Sequence, residues 1–276
     1  MKIGTILLAA AVALQPTFST RVEGVRVDVL VTDSSRRPLR GLTAADFMIR
    51  DNGVAQEVDV VSFGEIALNV GLAFDLSESV AGTRLAQLKT ASQALTAELE
   101  PADQSALVTF DTVVSLPCPL STSRSCVGAA LNAATPQRET ALVDGVFVGM
   151  AVGESEVGRS LLMVFSDGLD TASFLNAERV LDLGRRSDVV VYPVTSKGAR
   201  PDFLDDLASL TGGRLHEVDA GSDLSATFRS ILEEFRYRYL VTYTPRGVPR
   251  GGWHKLDVRV NRPGVSVRAR PGYQGL

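Results

Sequence analysis

Apolar and polar residues along this chain follow two rhythms, and the changes between them mark three stretches. From Arg21 to Phe63 apolar positions alternate, at Val25, Val27, Val29 and Val31 and again at Val58 and Val60. Turn-forming residues run from Asp33 to Pro38 and at Asp51-Asn52-Gly53. A period of two places successive side chains on opposite faces, so this is antiparallel β material. Between these runs, Leu42 to Phe47 predicts one helical turn capped by Thr43, before Phe47 to Arg50 extends again.

A different rhythm starts near Ile66. The apolar runs Ala67 to Phe74, Ala106 to Phe110, Leu161 to Phe165 and Val189 to Val194 do not alternate, and they are separated by segments with helical spacing. Leu85, Leu88, Leu95 and Leu99 mark one helical face; Leu224, Phe228, Ile231 and Phe235 mark another. Shorter helices are expected over Ala141 to Met150, Leu175 to Leu183 and Phe203 to Leu210. Strands apolar on both sides need cover on both faces, which intervening helices supply. The fold class is therefore α/β, a doubly wound and mostly parallel sheet flanked by helices.

After Arg238 the β pattern returns, with strands over Tyr239 to Thr244, His254 to Val260 and Val265 to Ala269, broken by Pro245-Arg246-Gly247, Gly251-Gly252 and Arg262-Pro263-Gly264. Three strands make a poor domain alone, and the N-terminal β segment has the same deficit. Chain ends often lie close together, so one small β unit built from both ends and packed on the α/β core is expected. The division that follows is 1–20 signal, 21–64 N-terminal β segment, 65–236 α/β domain and 237–276 C-terminal β segment.

The signal reading rests on Lys2, the apolar run from Ile3 to Leu14, and the small or polar residues up to Thr20. Both Thr17-Phe18-Ser19 and Ala11-Val12-Ala13 suit a signal peptidase. The run is shorter than the roughly 20 apolar residues of a spanning helix, and no other follows, so the mature chain is expected to lack a transmembrane helix and to work in the periplasm or outside the cell. In such a place Cys118 and Cys126 are expected to form a disulfide, worth on the order of 2 kcal/mol through the short loop it closes. The chain carries 28 Lys and Arg against 32 Asp and Glu, a net charge of −4, with no basic run. Nucleic acid is excluded as the main partner.

The chemistry begins at Asp75-Leu76-Ser77-Glu78-Ser79, directly after a buried strand. Open α/β sheets bind ligands at the carboxyl ends of their strands, and oxygen-bearing residues at alternate positions can turn toward one cation there. A turn with a serine helix cap accounts for the same residues equally well. Thr140 before one helix, and Asp167-Gly168 after another buried strand, fall on loops at the same sheet edge, where each is also compatible with an ordinary cap or turn.

Taken together these residues resemble the von Willebrand factor type A family. Its metal-ion-dependent adhesion site uses an Asp-x-Ser-x-Ser loop, a threonine from a later loop and an aspartate followed by glycine, matching Asp75, Ser77, Ser79, Thr140 and Asp167. The resemblance covers roughly residues 66–235. The flanks resemble a bacterial exported group related to that family, in the Val-rich opening and the final Pro271-Gly272-Tyr273 stretch. The resemblance implies an exported adhesion module that binds protein through a metal coordinating a Glu or Asp side chain of the partner.

Oxygen ligands alone suit hard cations, Mg2+ first, with Mn2+ or Ca2+ as alternatives. Asp75 and Asp167 balance a divalent charge, while neutral hydroxyls leave the ion electrophilic. Asp170 is a candidate to support Ser77 or Ser79 from behind, or to cap the following helix; Glu78 and Asp111 lie near without a ligand role. The rival readings are a metal-dependent hydrolase and a structural envelope-assembly module. Against hydrolysis, His216 and His254 are the only histidines, both expected in β-rich segments away from these loops as solvated or hydrogen-bonded residues, and neither a nucleophile elbow nor a nucleotide loop is present. The chain is thus expected not to be an enzyme.

Overall fold

The computed structural model describes residues 24–154, 157–167, 169–198, 202–219 and 222–275. The signal expected at 1–20, with both of its cut points, lies outside the described residues, as does Gly168. Among the described residues no helix is long and apolar enough to cross a membrane.

The alternating N-terminal stretch forms β1 (Val25–Thr32), β2 (Phe47–Asp51), β3 (Val54–Gln56) and β4 (Val58–Phe63). A 3-10 turn, Ala44–Asp46, precedes β2 where one helical turn was expected. There the Asp46 carboxylate accepts hydrogen bonds from the Thr43 N–H at 2.9 Å and its hydroxyl at 3.0 Å.

The middle of the chain runs β5 (Leu68–Asp75), α1 (Thr83–Ala97), β6 (Gln104–Phe110), β7 (Val114–Ser121), α2 (Ser125–Ala133), α3 (Leu142–Gly153), β8 (Arg159–Ser166), α4 (Ala177–Arg186), β9 (Val190–Ser196), α5 (Asp202–Thr211), β10 (His216–Val218) and α6 (Leu224–Arg236). The sheet order is β10-β9-β8-β5-β6-β7, parallel except for the antiparallel edge strand β7. Each buried strand feeds two cores. Val70, Leu72 and Phe74 of β5, with Leu161, Met163 and Phe165 of β8, meet Leu88 and Leu95 of α1, Val127 and Leu131 of α2, and Phe228 and Ile231 of α6. Ala73, Leu162 and Val164 face the other way, onto Val146 and Met150 of α3, Val180 of α4 and Leu204 of α5. This double burial is why the strands read as unbroken apolar runs.

Strand β7 and helix α2 were not expected. Pro117 and Pro119 argue against a strand, but an edge strand tolerates missing donors. Only Cys118 of β7 is buried, and it bonds Cys126 in the first turn of α2, with Cα atoms 5.9 Å apart.

Strands β11 (Tyr239–Tyr243), β12 (Gly252–Val260), β13 (Ser266–Arg268) and β14 (Gly272–Gly275) complete the chain. They combine with the first four in two four-stranded sheets, β13-β1-β11-β4 and β14-β12-β2-β3, so both sheets mix the two ends. Their shared core contains Val27, Val29, Val31, Phe47, Ile49, Tyr239, Val241 and Tyr243. A polar knot around the buried Asp51 sits within it: Asp51 takes hydrogen bonds from the buried Tyr243 and the half-buried Tyr273 at 2.9 and 2.8 Å and lies 2.8 Å from the buried His254 Nδ1. The β unit packs on the α/β core through buried arginines. Arg159 pairs with Asp28 across the seam, Arg238 donates to the Gly212 carbonyl at 2.6 Å, and Arg270 donates to the Ser187 carbonyl at 3.0 Å.

Candidate metal centre

The carboxyl ends of β5, β6 and β8 bring three loops together. Asp75 ends β5 and is fully buried; the Ser77 N–H donates back to its Oδ1 at 2.8 Å, which curls the chain immediately after the strand. A 3-10 turn over Glu78–Val80 continues the curl. Ser77 Oγ and Ser79 Oγ lie 3.0 Å apart, and Ser79 Oγ donates to Asp167 Oδ1 at 2.7 Å. Ser166, the last residue of β8, donates to Asp75 Oδ2 at 2.7 Å. Asp75, Ser77, Ser79 and Asp167 thus belong to one hydrogen-bonded chain, joined between Asp75 and Ser77 through the Ser77 N–H and beyond it through hydroxyl oxygens.

Thr140 is buried just before α3 and is tied to both other loops through backbone. Gln137, in its own loop, donates to the Leu76 carbonyl at 2.9 Å, and the Ala141 N–H reaches the Asp111 carbonyl at 2.7 Å. On the far side the Thr140 N–H donates to Thr171 Oγ1 at 3.0 Å, and its carbonyl accepts from the Thr171 and Ala172 amides. Glycines let α3 approach the sheet: a Cβ on Gly145 would lie 2.3 Å from the Phe110 ring.

The structure gives Asp170 a different task from the one expected. Its carboxylate accepts from the Val143 N–H in the first turn of α3 and from Ser173, while Asn176, not Asp170, caps α4. No described bond joins Asp170 to Ser77 or Ser79. Ser166, Thr171, Ser173 and Asp144 escaped sequence reasoning. Asp144 accepts from the Phe174 and Leu175 amides, each at 2.9 Å, and with Thr171 and Ser173 it clamps the 169–175 loop onto α3. The only sequence signal was a Ser- and Thr-rich stretch opposite an acidic first helical turn. Glu78 is exposed, and Asp111 holds the turn into β7 by accepting from the Val113 N–H.

Burial pushes the Asp75 carboxyl above the usual aspartate range, against hydrogen bonds from Ser77 and Ser166, and the charge of Asp167 adds to the rise. No Lys or Arg among the described residues forms an ion pair with either aspartate. Nor do three His, Cys, Asp or Glu side chains gather anywhere among the described residues as a metal-binding set. What the sheet edge assembles is two carboxylates with hydroxyls. That donor chemistry fits a hard divalent cation, which would supply the missing positive charge. Neither histidine is near: His254 lies in the buried knot of the β unit, and His216 sits on β10 with its Nε2 buried and without a hydrogen-bond partner.

A doubly wound sheet with carboxylates and hydroxyls gathered at the carboxyl ends of its strands defines a class of α/β domains, and residues 69–230 match the family described as von Willebrand factor type A domain. The protein belongs to that family. No curated protein matches it in sequence. Among solved structures it is similar to an aerotolerance-related membrane protein from Bacteroides fragilis (16% identity, TM-score 0.51, 61% of this chain and 98% of that one). It is also similar to BatB from Bacteroides thetaiotaomicron (17%, 0.50, 61% and 98%). Proximal thread matrix protein 1 from the mussel byssus, in a form with a zinc-occupied MIDAS motif, is similar over 67% of this chain and 49% of that one (17%, 0.54). These likenesses concern the fold.

Proposed function

We propose that the protein is an exported protein-binding module that holds a divalent cation, Mg2+ first and Mn2+ or Ca2+ as alternatives, through Asp75, Ser77, Ser79, Thr140 and Asp167. The observation that carries this reading is the hydrogen-bonded chain from Ser166 through Asp75, Ser77 and Ser79 to Asp167, which holds two carboxylates with no cationic side chain paired to them among the described residues. A bound cation supplies that charge and a position for a carboxylate of a partner protein. The chain's part is to fix the oxygens before the ion arrives: Ser166 and the Ser77 amide orient Asp75, and the Thr171 and Asp144 clamps hold the threonine loop against the Asp167 loop. The mussel protein, similar in fold, has been seen with a zinc-occupied MIDAS motif, which supports divalent-cation binding by this kind of domain. The Cys118–Cys126 disulfide supports an oxidising compartment, hence export. Binding, rather than turnover, suits a crevice from which both histidines are remote.

The test is titration of wild type, Asp75→Ala and Asp167→Ala with Mg2+ and Mn2+, with thermal stability followed in parallel. Saturable binding by wild type and its loss in both folded variants is the expected result. Equal binding by all three would remove the proposed site. Capture of a partner that disappears on chelation and returns with Mg2+ would separate this function from metal-independent assembly.

A further inference from the structure

The seam between the α/β core and the β unit holds a cleft of about 750 Å3. One wall is α6, which contributes Ser230, Glu233 and Glu234, extended by its C-cap Tyr237, a stripe at helical spacing. The other is the face of the β1–β13 ladder turned away from the β core. Leu30 pairs with Arg268 and Thr32 with Ser266, so these four share one side of the sheet, while Val29 and Val31 enter the core on the other. The turn after β1 adds Arg36 and Arg37, and Arg214 completes the cationic lining.

The charges are unevenly matched. Glu234 alone serves Arg214 at 3.3 Å, Arg268 at 2.5 Å and Arg238 at 3.8 Å, and accepts from the Tyr192 hydroxyl at 2.6 Å. Burial raises its carboxyl, but the charge of Arg268, the hydrogen bonds from Tyr192 and Arg268, and the charge of Arg238 outweigh that and hold it below the ordinary glutamate value. Arg37 is paired with Asp33 at 3.0 Å. A guanidinium offers five N–H donors in a planar fork. Among the described residues Glu234 is the only side-chain acceptor of Arg214 and of Arg268, and none takes Arg36. Glu233 is the one lining carboxylate without an arginine partner among the described residues. Several donors in one cleft are therefore left to water.

We propose that this cleft binds an acidic peptide segment of a partner protein, its carboxylates taking the spare donors of Arg36, Arg214 and Arg268. A small acid calls for a pocket that encloses most of its surface. Here Arg36 and Arg37 are exposed and the Arg214 side chain is 53% exposed, which suits an extended chain that keeps one side in water. A segment lying here would touch α6 and the β unit at once. No metal takes part, so this site stands or falls separately from the crevice at the sheet edge.

The experiment is fluorescence polarisation of a labelled hexaglutamate peptide with the full chain, at low ionic strength and in EDTA. Saturable binding is expected, weakened about tenfold or more by Arg36→Glu and by Arg214→Gln, and tightened by Glu233→Gln, which removes a like charge. Asp75→Ala should leave it unchanged, and a peptide of alternating Glu and Lys should not bind. Arg36 lies on an exposed turn, so its variant keeps the test sound if Arg214→Gln unfolds. Absence of saturable binding, or equal affinity in Arg36→Glu, would overturn the proposal. So would displacement by citrate at matched carboxylate concentration, which would make the cleft a small-acid pocket.

Discussion

Ser79 Oγ donates to Asp167 Oδ1 at 2.7 Å, joining two loops that are 88 residues apart in sequence. Around this bond the sheet edge gathers negative charge: Asp75 is fully buried, and the charge of Asp167 works against its ionisation. A buried carboxylate without a cation costs stability. Asp75→Asn keeps the shape and removes the charge, so in EDTA at neutral pH the variant should be about 1 kcal/mol more stable than wild type. Urea unfolding measures this. A less stable variant would mean that Ser166 and the Ser77 amide already satisfy the anion.

Much of this arrangement was legible from the chain. The core strands announced themselves because helices cover both of their faces, and alternation in the terminal segments reported sheets with one buried face. Strand β7 was hidden because Pro117 and Pro119 veto a central strand and only Cys118 reaches the core. Helix α2 buries only Val127 and Leu131, too few positions to show a period. At the sheet edge, residues that announce themselves by spacing, such as Asp75, Ser77 and Ser79, were readable. Asp144, Thr171 and Ser173 were not, and Asp170 was named for a different contact, because all four act on backbone amides of another loop, and no spacing in sequence encodes that.

Gly145 is the place where α3 comes closest to the sheet. A methyl group there would sit 2.3 Å from Phe110 Cδ1, 2.5 Å from Cγ and 2.9 Å from Cβ, so the ring cannot simply swing away. Gly145→Ala should destabilise the fold by about 1–3 kcal/mol despite its better helix propensity. Adding Phe110→Leu should recover part of that loss, a coupling that a double-mutant cycle measures. Additive effects would place the strain elsewhere.

His216 gives the fold a pH dependence with a definite sign. Burial, with the charge of Arg214 behind it, lowers its pKa from 6.5 to about 4. In the unfolded chain the imidazole protonates below about 6.5, whereas in the folded one it stays neutral until about 4. Its contribution is therefore complete above pH 6.5 and is lost as the pH falls through that window, by roughly 2–3 kcal/mol. Urea midpoints at pH 7 and pH 4.5 should differ less in His216→Gln than in wild type. Identical differences would show that the folded imidazole takes up its proton over the same pH range as the unfolded one.

The end of α6 is fastened on several sides, and this bears on whether binding at the sheet edge moves it. Arg236 pairs with the buried Asp103 at 2.8 Å, and Arg229 with Glu98 at 2.8 Å. Arg159 donates to the Phe235 carbonyl at 3.3 Å and lies over the Phe235 ring while pairing with Asp28 of the β unit. Two residues beyond the helix the chain enters β11, held between β1 and β4. Sliding α6 along its axis would leave the buried Asp103 carboxylate without Arg236, break the Arg159 bond to the Phe235 carbonyl and shift a central strand of the β unit, and stranding one buried charge alone costs about 3–5 kcal/mol. A ligand with modest differential affinity cannot supply that. Hydrogen exchange of the α6 amides should therefore be the same with and without saturating Mg2+, while protection in the Ser77–Val80 turn increases. In Asp103→Ala the last turn of α6 should exchange faster, showing that the measurement senses the fastening. Mg2+-dependent deprotection of the wild-type helix would instead show that α6 is released despite these ties.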